Sequence, residues 1–315
     1  MLEPEPVSAP ASAIALHPGI AAVLVVHGLV RDLRPELERL AQVVGRIVLV
    51  DNNEHACTEL QPLQHSPLPL TLLQGGNVGG LAGAYNRALQ SLNAGPVPPR
   101  EVVFIDQDSD SAVLARFLAD AQVQALLARN DVAAVAPAYR DRATGLRARY
   151  IELGRWRAQH MQREFEGARP VAFIINSMSV WRCAALEQLG PFDETLAIDH
   201  VDTEHCLRAR RQGLGIWVHG SHEFAHAIGQ RRRYRLFGRD LQATGHGPAR
   251  RLLIARNTLL LARRWGWREP GFAWLCLGRL AYEAVGILVA EPQAATKLAA
   301  LLRGALAGLF THRAP

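Results

Sequence analysis

The first half of the chain alternates short apolar runs with helix-like stretches, and this alternation limits the possible folds more than any other feature. The runs with strand character are 21–26, 46–50, 68–73, 101–105 and 132–137. Helical patterns lie between them at 33–43, 81–92 and 112–128. Strands that alternate with helices predict an α/β fold, in which a mostly parallel sheet is covered by helices on both faces.

Polar side chains follow two of these runs directly. Asp51-Asn52-Asn53 ends the second run, and Asp106-Gln107-Asp108 ends the fourth. The carboxyl ends of parallel strands are where open α/β sheets bind ligands. Two carboxylates spaced i, i+2 repel each other, and a divalent cation would neutralise them. A solvated turn is the alternative interpretation of an isolated Asp-x-Asp.

The second half has a weaker pattern. Residues 144–170 are polar and arginine-rich, which indicates an excursion or flexible loop. A strand is predicted at 171–180, a helix at 201–212, a strand at 214–219 and helices from 247 onward. We therefore expect a disordered tail at 1–18, an α/β domain at 19–245 and a helical extension at 246–315.

The composition argues against several classes of protein. The net charge is +6, but Lys297 is the only lysine and no nucleic-acid-binding motif is present, so no nucleic-acid partner is expected. Four scattered cysteines fit a reducing cytosol, and the N-terminus does not have the pattern of a signal peptide. Arg279 and Glu283 interrupt the most apolar stretch, 271–290, which favours a buried or interfacial helix over a membrane span.

Five motifs occur in an order typical of one enzyme family. They are Val48-Leu49-Val50-Asp51-Asn52-Asn53, Asn77-Val78-Gly79-Gly80, Ile105-Asp106-Gln107-Asp108-Ser109, Gly190-Pro191-Phe192-Asp193-Glu194 and the segment 198–208. Over roughly 21–257 the chain resembles glycosyltransferase family 2, the inverting nucleotide-sugar transferases. The Asp-Gln-Asp-Ser form resembles the bacterial rhamnosyltransferase branch. The resemblance implies a GT-A fold, a mostly parallel nucleotide-sugar-binding sheet flanked by helices, here with a helical C-terminal extension.

The resemblance implies a donor site at the first three motifs. Asp51 would accept a hydrogen bond from the imide N–H of a uracil or thymine ring, although a strand-end residue of this kind can also be a turn cap. Asn77, Gly79 and Gly80 would form a loop that the nucleotide approaches closely. Asp106 would lie near the ribose or the metal.

The resemblance also implies a metal site for Mg²⁺ or Mn²⁺. Asp108 would be the more direct ligand, beside Asp106, and the cation would bridge the two phosphates. His226, in His226-Ala227-Ile228-Gly229, matches the third ligand of the family. His219 and His222 are rival candidates, and an isolated histidine is often structural.

Asp202 aligns with the catalytic aspartate of the family, the base that deprotonates the acceptor hydroxyl. Asp199 is the alternative base and a candidate acceptor contact, and a helix N-cap is the structural alternative for Asp202. Asn176 and Ser177 resemble the acceptor-binding strand of the family, although plain strand residues would look the same.

Three residues in the C-terminal helices match a rhamnosyltransferase pattern. Arg250, Arg256 and Asn257 would close over the diphosphate, with a solvated basic face as the alternative. The chain departs from the family at His27-Gly28, where an aromatic residue or threonine followed by asparagine is usual. That departure leaves the identity of the bound base open.

The expected function is therefore metal-dependent, inverting transfer of L-rhamnose from dTDP-L-rhamnose to a lipid-linked polysaccharide such as O-antigen. Two alternatives remain open: the same fold acting on a UDP- or GDP-sugar, and a non-catalytic sugar- or nucleotide-binding protein. A dinucleotide-dependent dehydrogenase is disfavoured, because no G-x-G-x-x-G motif follows the first strand.

A lipid-linked acceptor places the expected site of action at the inner face of the cytoplasmic membrane. Arginines and tryptophans at 263–267, together with the amphipathic stretch 294–309 bearing Lys297 and Arg303, predict peripheral contact with anionic lipid. In the alternative, these apolar faces pack on the catalytic domain or on a second subunit of a homo-oligomer.

Overall fold

The computed structural model describes residues 17–28, 32–227, 232–236 and 239–310. Twelve strands occur in this part of the chain: β1 His17–Val26, β2 Val44–Asp51, β3 Leu70–Gln74, β4 Glu101–Asp106, β5 Val132–Asp141, β6 Ile151–Leu153, β7 Ala158–His160, β8 Ala168–Val171, β9 Val180–Arg182, β10 Gly215–His226, β11 Arg232–Leu236 and β12 Arg239–Ala243.

The α-helices of the described residues lie between and after these strands. They are α1 Arg34–Val43, α2 Gly80–Asn93, α3 Leu114–Leu118, α4 Ala121–Leu127, α5 Cys183–Leu189, α6 Val201–Arg211, α7 Pro248–Trp265, α8 Pro270–Ala290 and α9 Ala294–Phe310. Residues 1–16 of the predicted tail, 1–18, lie outside the described residues, and residues 17 and 18 belong to β1.

Eight strands form one sheet in the order β3-β2-β1-β4-β9-β5-β10-β8. Strands β1 to β4 pair in parallel, and so do β5 and β10. The short strands β8 and β9 run antiparallel to their neighbours. The predicted α/β fold with a mostly parallel sheet is confirmed.

Two apolar layers cover the sheet, because successive side chains of a strand point to opposite faces. In β1, Val23 and Val25 face a core that includes α2, α5 and α6, whereas Ala22 and Leu24 face a core that includes α1, α3 and α4. Both layers are closely packed, so the polar ends of the strands are fixed in position relative to each other.

Two predicted elements differ from the structure. The predicted helix 112–128 is broken into α3 and α4 at Asp120, whose carboxylate accepts hydrogen bonds from the N–H groups of Gln122 and Val123 at 2.8 and 3.4 Å. The predicted strand 171–180 is wrong over most of its length. Residues 172–179 instead pass the end of β4, where Met178 N–H donates to Phe104 O at 2.7 Å.

Two other predictions fall short of the observed elements. The predicted excursion at 144–170 contains the β6–β7 hairpin and the start of β8. Strands β5 and β10 both continue past their predicted ends, to Asp141 and His226. These extensions matter because they carry polar residues toward the carboxyl edge of the sheet.

The three C-terminal helices pack on one another around buried charges. Arg251, which is fully buried, pairs with Glu283 and Glu291, and Lys297 pairs with Glu291 at 2.8 Å. At Gly304 and Gly308 of α9, a Cβ would collide with backbone atoms of α7. Helix α9 therefore lies against α7 at backbone distance. Helix α8 is long and apolar enough to cross a membrane by length and composition, but it carries the buried Glu283.

Candidate active site

Three residues predicted as metal ligands meet at the carboxyl edge of the sheet. Asp106 ends β4, Asp108 lies in the turn after it, and His226 ends β10. One donor atom from each lies within 4.8 Å of the other two. The extension of β10 beyond its predicted end is what delivers His226 to this point.

The structure separates the three candidate histidines. His226 lies with Asp106 and Asp108, whereas His219 and His222 group with Asp120 elsewhere on the protein. Of the three, His226 alone has a donor atom in position to share an ion with Asp106 and Asp108.

The charge state of Asp106 reflects this crowding. The pKa of Asp106 is raised to about 7. Burial is the main cause, and the nearby charges of Asp108 and Asp202 contribute in the same direction. A carboxyl group that resists ionisation for these reasons gains from a nearby cation. Two carboxylates and an imidazole form a donor set that suits Mn²⁺ or Mg²⁺. The residues present therefore fit the cation that the resemblance implies.

Asp202 lies in the first turn of α6, close enough to Asp106 for their charges to interact. Burial raises the pKa of Asp202 to about 6, and Asp199 contributes in the same direction. The N-cap of α6 is His200, so the helix-cap alternative for Asp202 is wrong. A carboxylate with a pKa near 6 is a stronger base than an ordinary aspartate and is still ionised at neutral pH.

The alternative base, Asp199, is already engaged. Its two carboxylate oxygens accept hydrogen bonds from Arg250 at 3.0 and 3.2 Å. Arg250 therefore binds the acidic loop before α6 in this structure, and its charge offsets that of Asp199. This pairing favours Asp202 over Asp199 as the base.

Asn257 and Arg256 of α7, which were also predicted to contact the donor, form hydrogen bonds with the same loop. Asn257 is fully buried, and its amide donates to the carbonyls of Leu196, Ile198 and Asp199 at 2.7–3.1 Å. Arg256 donates to Thr195 O at 2.7 Å. These side chains position the loop in this structure, and the diphosphate contact that the resemblance implies for them stays a prediction.

The loop that these residues hold has an unusual backbone. Ala197, Asp199 and His200 have φ angles of 55°, 59° and 64°, in the left-handed region that residues with side chains rarely adopt. Such conformations persist where the surroundings fix them. Asn257 supplies that fixation for the segment that leads into Asp202.

Asp51 is fully buried in the structure. Its carboxylate accepts hydrogen bonds from Asn53 Nδ2 at 2.8 Å and from Cys57 N–H at 2.6 Å. The aspartate thus holds its own loop in this structure, and its predicted contact with a base stays a prediction.

The glycine-rich loop packs against the segment before α6. Gly79 and Gly80 have φ angles of 67° and 59°, and a Cβ there would collide with Glu194 and with the backbone of Ala197. Leu81 N–H donates to Ala197 O at 2.6 Å. Asn77 accepts a hydrogen bond from Asn52 at 3.2 Å. The glycines are therefore required for contact between two loops of the protein itself.

Asn176 and Ser177 are both buried beside the end of β4. The hydroxyls of Ser177 and Ser109 are hydrogen-bonded at 2.6 Å. The pair ties the segment 172–179 to the turn that carries Asp108, so Ser177 helps to hold that turn in place.

Two site residues were not identified from the sequence. Gln107, between the two aspartates, exchanges hydrogen bonds with the backbone of His27 at 3.0 and 3.1 Å. Arg142 is exposed, and its guanidinium donates to Asp108 O at 3.2 Å and to Ala225 O at 3.4 Å. Arg142 was missed because β5 was predicted to end at Pro137, whereas the strand continues to Asp141 and Arg142 follows it directly.

Comparison with known proteins gives one sequence relative and several structural neighbours. The chain is 25% identical over 252 residues to dTDP-rhamnosyl transferase RfbF of Shigella flexneri, a match that covers 76% of this chain and 80% of the relative. No protein-family model matches the chain.

Two solved structures are similar at low identity. GalNAc-T7, solved with UDP, GalNAc and Mn²⁺, has a TM-score of 0.49 at 13% identity and covers 78% of this chain, which spans only 47% of that protein. Residues 1–349 of TarS from S. aureus have a TM-score of 0.46 at 16% identity, covering 91% of this chain and 70% of that one.

The chain is thus similar to a dTDP-rhamnosyl transferase over most of its length, and its fold is a mixed α/β fold with a mostly parallel sheet.

Proposed function

We propose that this protein is a metal-dependent inverting glycosyltransferase that transfers L-rhamnose from dTDP-L-rhamnose to a lipid-linked polysaccharide. One observation carries the proposal: donor atoms of Asp106, Asp108 and His226 lie within 4.8 Å of one another, and the Asp202 carboxylate interacts electrostatically with this cluster. Stabilisation of the leaving diphosphate and a base for the acceptor hydroxyl are the two requirements of inverting transfer, and these residues could supply both.

In the proposed reaction, Asp202 takes the proton of the acceptor hydroxyl as its oxygen bonds to the anomeric carbon. The bond between that carbon and the diphosphate oxygen breaks, and the electron pair leaves with the nucleoside diphosphate. Asp106, Asp108 and His226 would hold a divalent cation, which would supply Lewis-acid stabilisation of the leaving group. Asn257 and Arg250 keep the loop before Asp202 in its left-handed conformation.

The proposed donor is supported by the name of the sequence relative, a dTDP-rhamnosyl transferase. We assign Arg142 as the cationic contact for the diphosphate, in place of Arg256. Its guanidinium lies against Asp108 and β10 and is exposed, whereas that of Arg256 is bound to Thr195 O. An arginine fork at this place matches the oxygens of a phosphate.

The proposed lipid-linked acceptor is supported by exposed apolar side chains in the C-terminal helices. They recur at helical spacing on α8, at Trp274, Leu277, Val285 and Leu288, and on α9, at Leu302, Leu306, Leu309 and Phe310. We call these residues the apolar stripes. Apolar side chains on helices that flank a catalytic domain suit shallow insertion at a membrane interface. We propose that the enzyme acts on the cytoplasmic face of the membrane.

Donor and cation are tested together by thermal unfolding. A ligand that binds the native state raises the midpoint by mass action. We expect dTDP-L-rhamnose to raise it more than UDP- and GDP-sugars, and only when Mg²⁺ or Mn²⁺ is present. An Asp108→Ala variant should lose the cation-dependent part of the shift. A larger shift with a UDP- or GDP-sugar would replace the donor assignment, and an equal shift in EDTA would reject the metal.

A further inference from the structure

Asp120, His219 and His222 form a second cluster of potential metal ligands, distinct from the active site. One donor atom from each lies within 4.8 Å of the others. The Nε2 atom of His222 is 3.0 Å from Asp120 Oδ2, and that of His219 is 3.6 Å from Asp120 Oδ1. These distances bracket the separation of about 3.3 Å between neighbouring ligands around a tetrahedral zinc ion with bonds of roughly 2.0–2.1 Å.

Local structure explains why the two imidazoles lie together. Strand β10 pairs with β5 up to His219, leaves the ladder for three residues and resumes pairing at Glu223. The partner of His219 is Pro137, which has no N–H to donate, so the ladder is interrupted there. The resulting bulge brings the two rings to a centroid distance of 4.8 Å. Asp120 reaches them from the N-cap of α4.

The buried imidazole of His219 is the second observation that points to a ligand. This residue is only 2% exposed, and neither ring nitrogen has a hydrogen-bond partner among the described residues. The 3.6 Å approach to Asp120 is too long for a hydrogen bond. A buried polar group without a partner is costly, and an ion or a water is its usual explanation.

The cluster opens to solvent on one side. Asp120 and His219 line a cleft of about 580 Å³ together with Gln122, Glu166 and Ser221. Solvent access would allow a metal to enter and would leave room for water or Glu166 as a fourth ligand. Two imidazoles and one carboxylate favour zinc over the harder Mg²⁺, which prefers oxygen ligands.

We propose that Asp120, His219 and His222 bind a zinc ion that fastens the bulge of β10 to the start of α4. His226, a ligand of the proposed active-site cation, lies four residues after His222 on the same strand. The zinc would hold the strand that carries His226 in place without taking part in sugar transfer. This inference does not depend on the donor or on the reaction.

The test uses untagged, EDTA-treated protein carrying Asp108→Ala, which disables the active-site cluster, and zinc chloride as the probe. We expect one equivalent of zinc by equilibrium dialysis and a rise in the unfolding midpoint with added zinc. Adding Asp120→Asn or His222→Gln should weaken zinc binding by at least about tenfold, because loss of an outer contact alone costs roughly 10- to 100-fold. Asparagine is an equally good helix cap, so Asp120→Asn removes the ligand and keeps α4.

A matched control is His160→Gln, which changes an exposed histidine of β7 outside the cluster. Its zinc affinity should equal that of the parent. Circular dichroism confirms that each variant is folded before zinc is added. Equal zinc binding by the parent and the Asp120→Asn and His222→Gln variants would overturn the proposal, and so would the absence of zinc binding by the folded parent.

Discussion

The carboxyl edge of the sheet and the C-terminal helices both concentrate charged residues, but they use them in opposite ways. At the sheet edge, Asp106 and Asp202 are buried near like charges, and the pKa of each is raised, to about 7 and about 6. In the helices, buried Arg251 and Lys297 are paired with glutamates. Among the described residues, the fold leaves these two carboxylates at the sheet edge without a paired cation, whereas in the helical layer the two buried cations are paired and hold the helices together.

The first prediction has the largest expected effect and concerns the sheet edge. Asp108→Ala should abolish transfer, because it removes one ligand from the cluster proposed to bind the cation of the leaving diphosphate. Product formation measured in excess Mg²⁺ should fall to background. EDTA should do the same to the wild type, and dialysis against Mg²⁺ should restore it. Substantial turnover by the Asp108→Ala variant or by the EDTA-treated wild type would contradict the proposed role of the cation.

The second prediction concerns the base. Asp202→Asn has nearly the same shape but cannot take the acceptor proton, so kcat should fall by roughly two to four orders of magnitude. Donor affinity, measured by titration calorimetry, should stay within about twofold. Asp199→Asn, whose partner Arg250 remains, is the matched control and should retain more activity. An inactive Asp199→Asn beside an active Asp202→Asn would reverse the assignment.

The third prediction is a pH dependence. Because the pKa of Asp202 is raised to about 6, the base is ionised above that pH and protonated below it. We expect kcat/KM to fall about tenfold per pH unit below 6 and to be flat from 6.5 to 7.5. A rate unchanged down to pH 5 would exclude a base with a raised pKa.

Acid unfolding must be measured separately in that experiment. Burial lowers the pKa of His200 and of His205 to about 3. An unfolded histidine has a pKa near 6.5, so between these values the unfolded chain binds more protons than the folded one. The two histidines therefore lower the free energy of unfolding as the pH falls below about 6.5, whereas Asp106 and Asp202, whose pKa values are raised by folding, oppose that loss. Unfolding midpoints at each pH show which part of the lost rate comes from unfolded protein.

Much of the sheet and of its polar edge could be predicted from the sequence, because strand alternation and motif order are local signals. Asp106 and Asp108 were identified in this way, His226 was identified from the family resemblance, and the structure brings the three together. The ends of β5 and β10 were missed, since both strands run on into polar residues that pair with each other. Arg142 and the bulge at 220–222 were missed for the same reason.

The C-terminal helices were harder to predict, because a basic side chain has the same sequence signature whether it is solvated or paired. Lys297, predicted to face lipid, is buried against Glu291. Arg264 pairs with Asp193, and Arg263 donates to Leu309 O. Trp265 is buried, whereas Trp267 is exposed. Partner choice depends on tertiary packing, which motif spacing does not encode.

The fourth prediction tests whether Asn257 stabilises the fold, as the paired charges of the helices do, or binds the donor. Asn257→Ala leaves three backbone carbonyls without their buried donor, which should lower the free energy of unfolding by about 1–3 kcal/mol. Donor affinity should change little, while kcat falls as the loop before Asp202 relaxes. Arg303→Ala, at an exposed position of α9, is the control and should stay within about 0.5 kcal/mol of the wild type. Weaker donor binding at unchanged stability would return Asn257 to the donor site.

The last prediction expects the smallest effect on stability and concerns the outer face of the helices. Trp274 and Leu306 are 68% and 58% exposed, so the double variant Trp274→Ser/Leu306→Ser should unfold within about 0.5 kcal/mol of the wild type. Its co-sedimentation with liposomes should nevertheless drop, because the apolar stripes supply the surface that inserts. With Lys297, Arg263 and Arg264 already engaged, that binding should respond only weakly to salt. Val97→Ser, an equally exposed change away from α8 and α9, should bind liposomes like the wild type. If the double variant instead converts a dimer to a monomer, with liposome binding unchanged, the stripes pack against a second subunit and membrane attachment lies elsewhere.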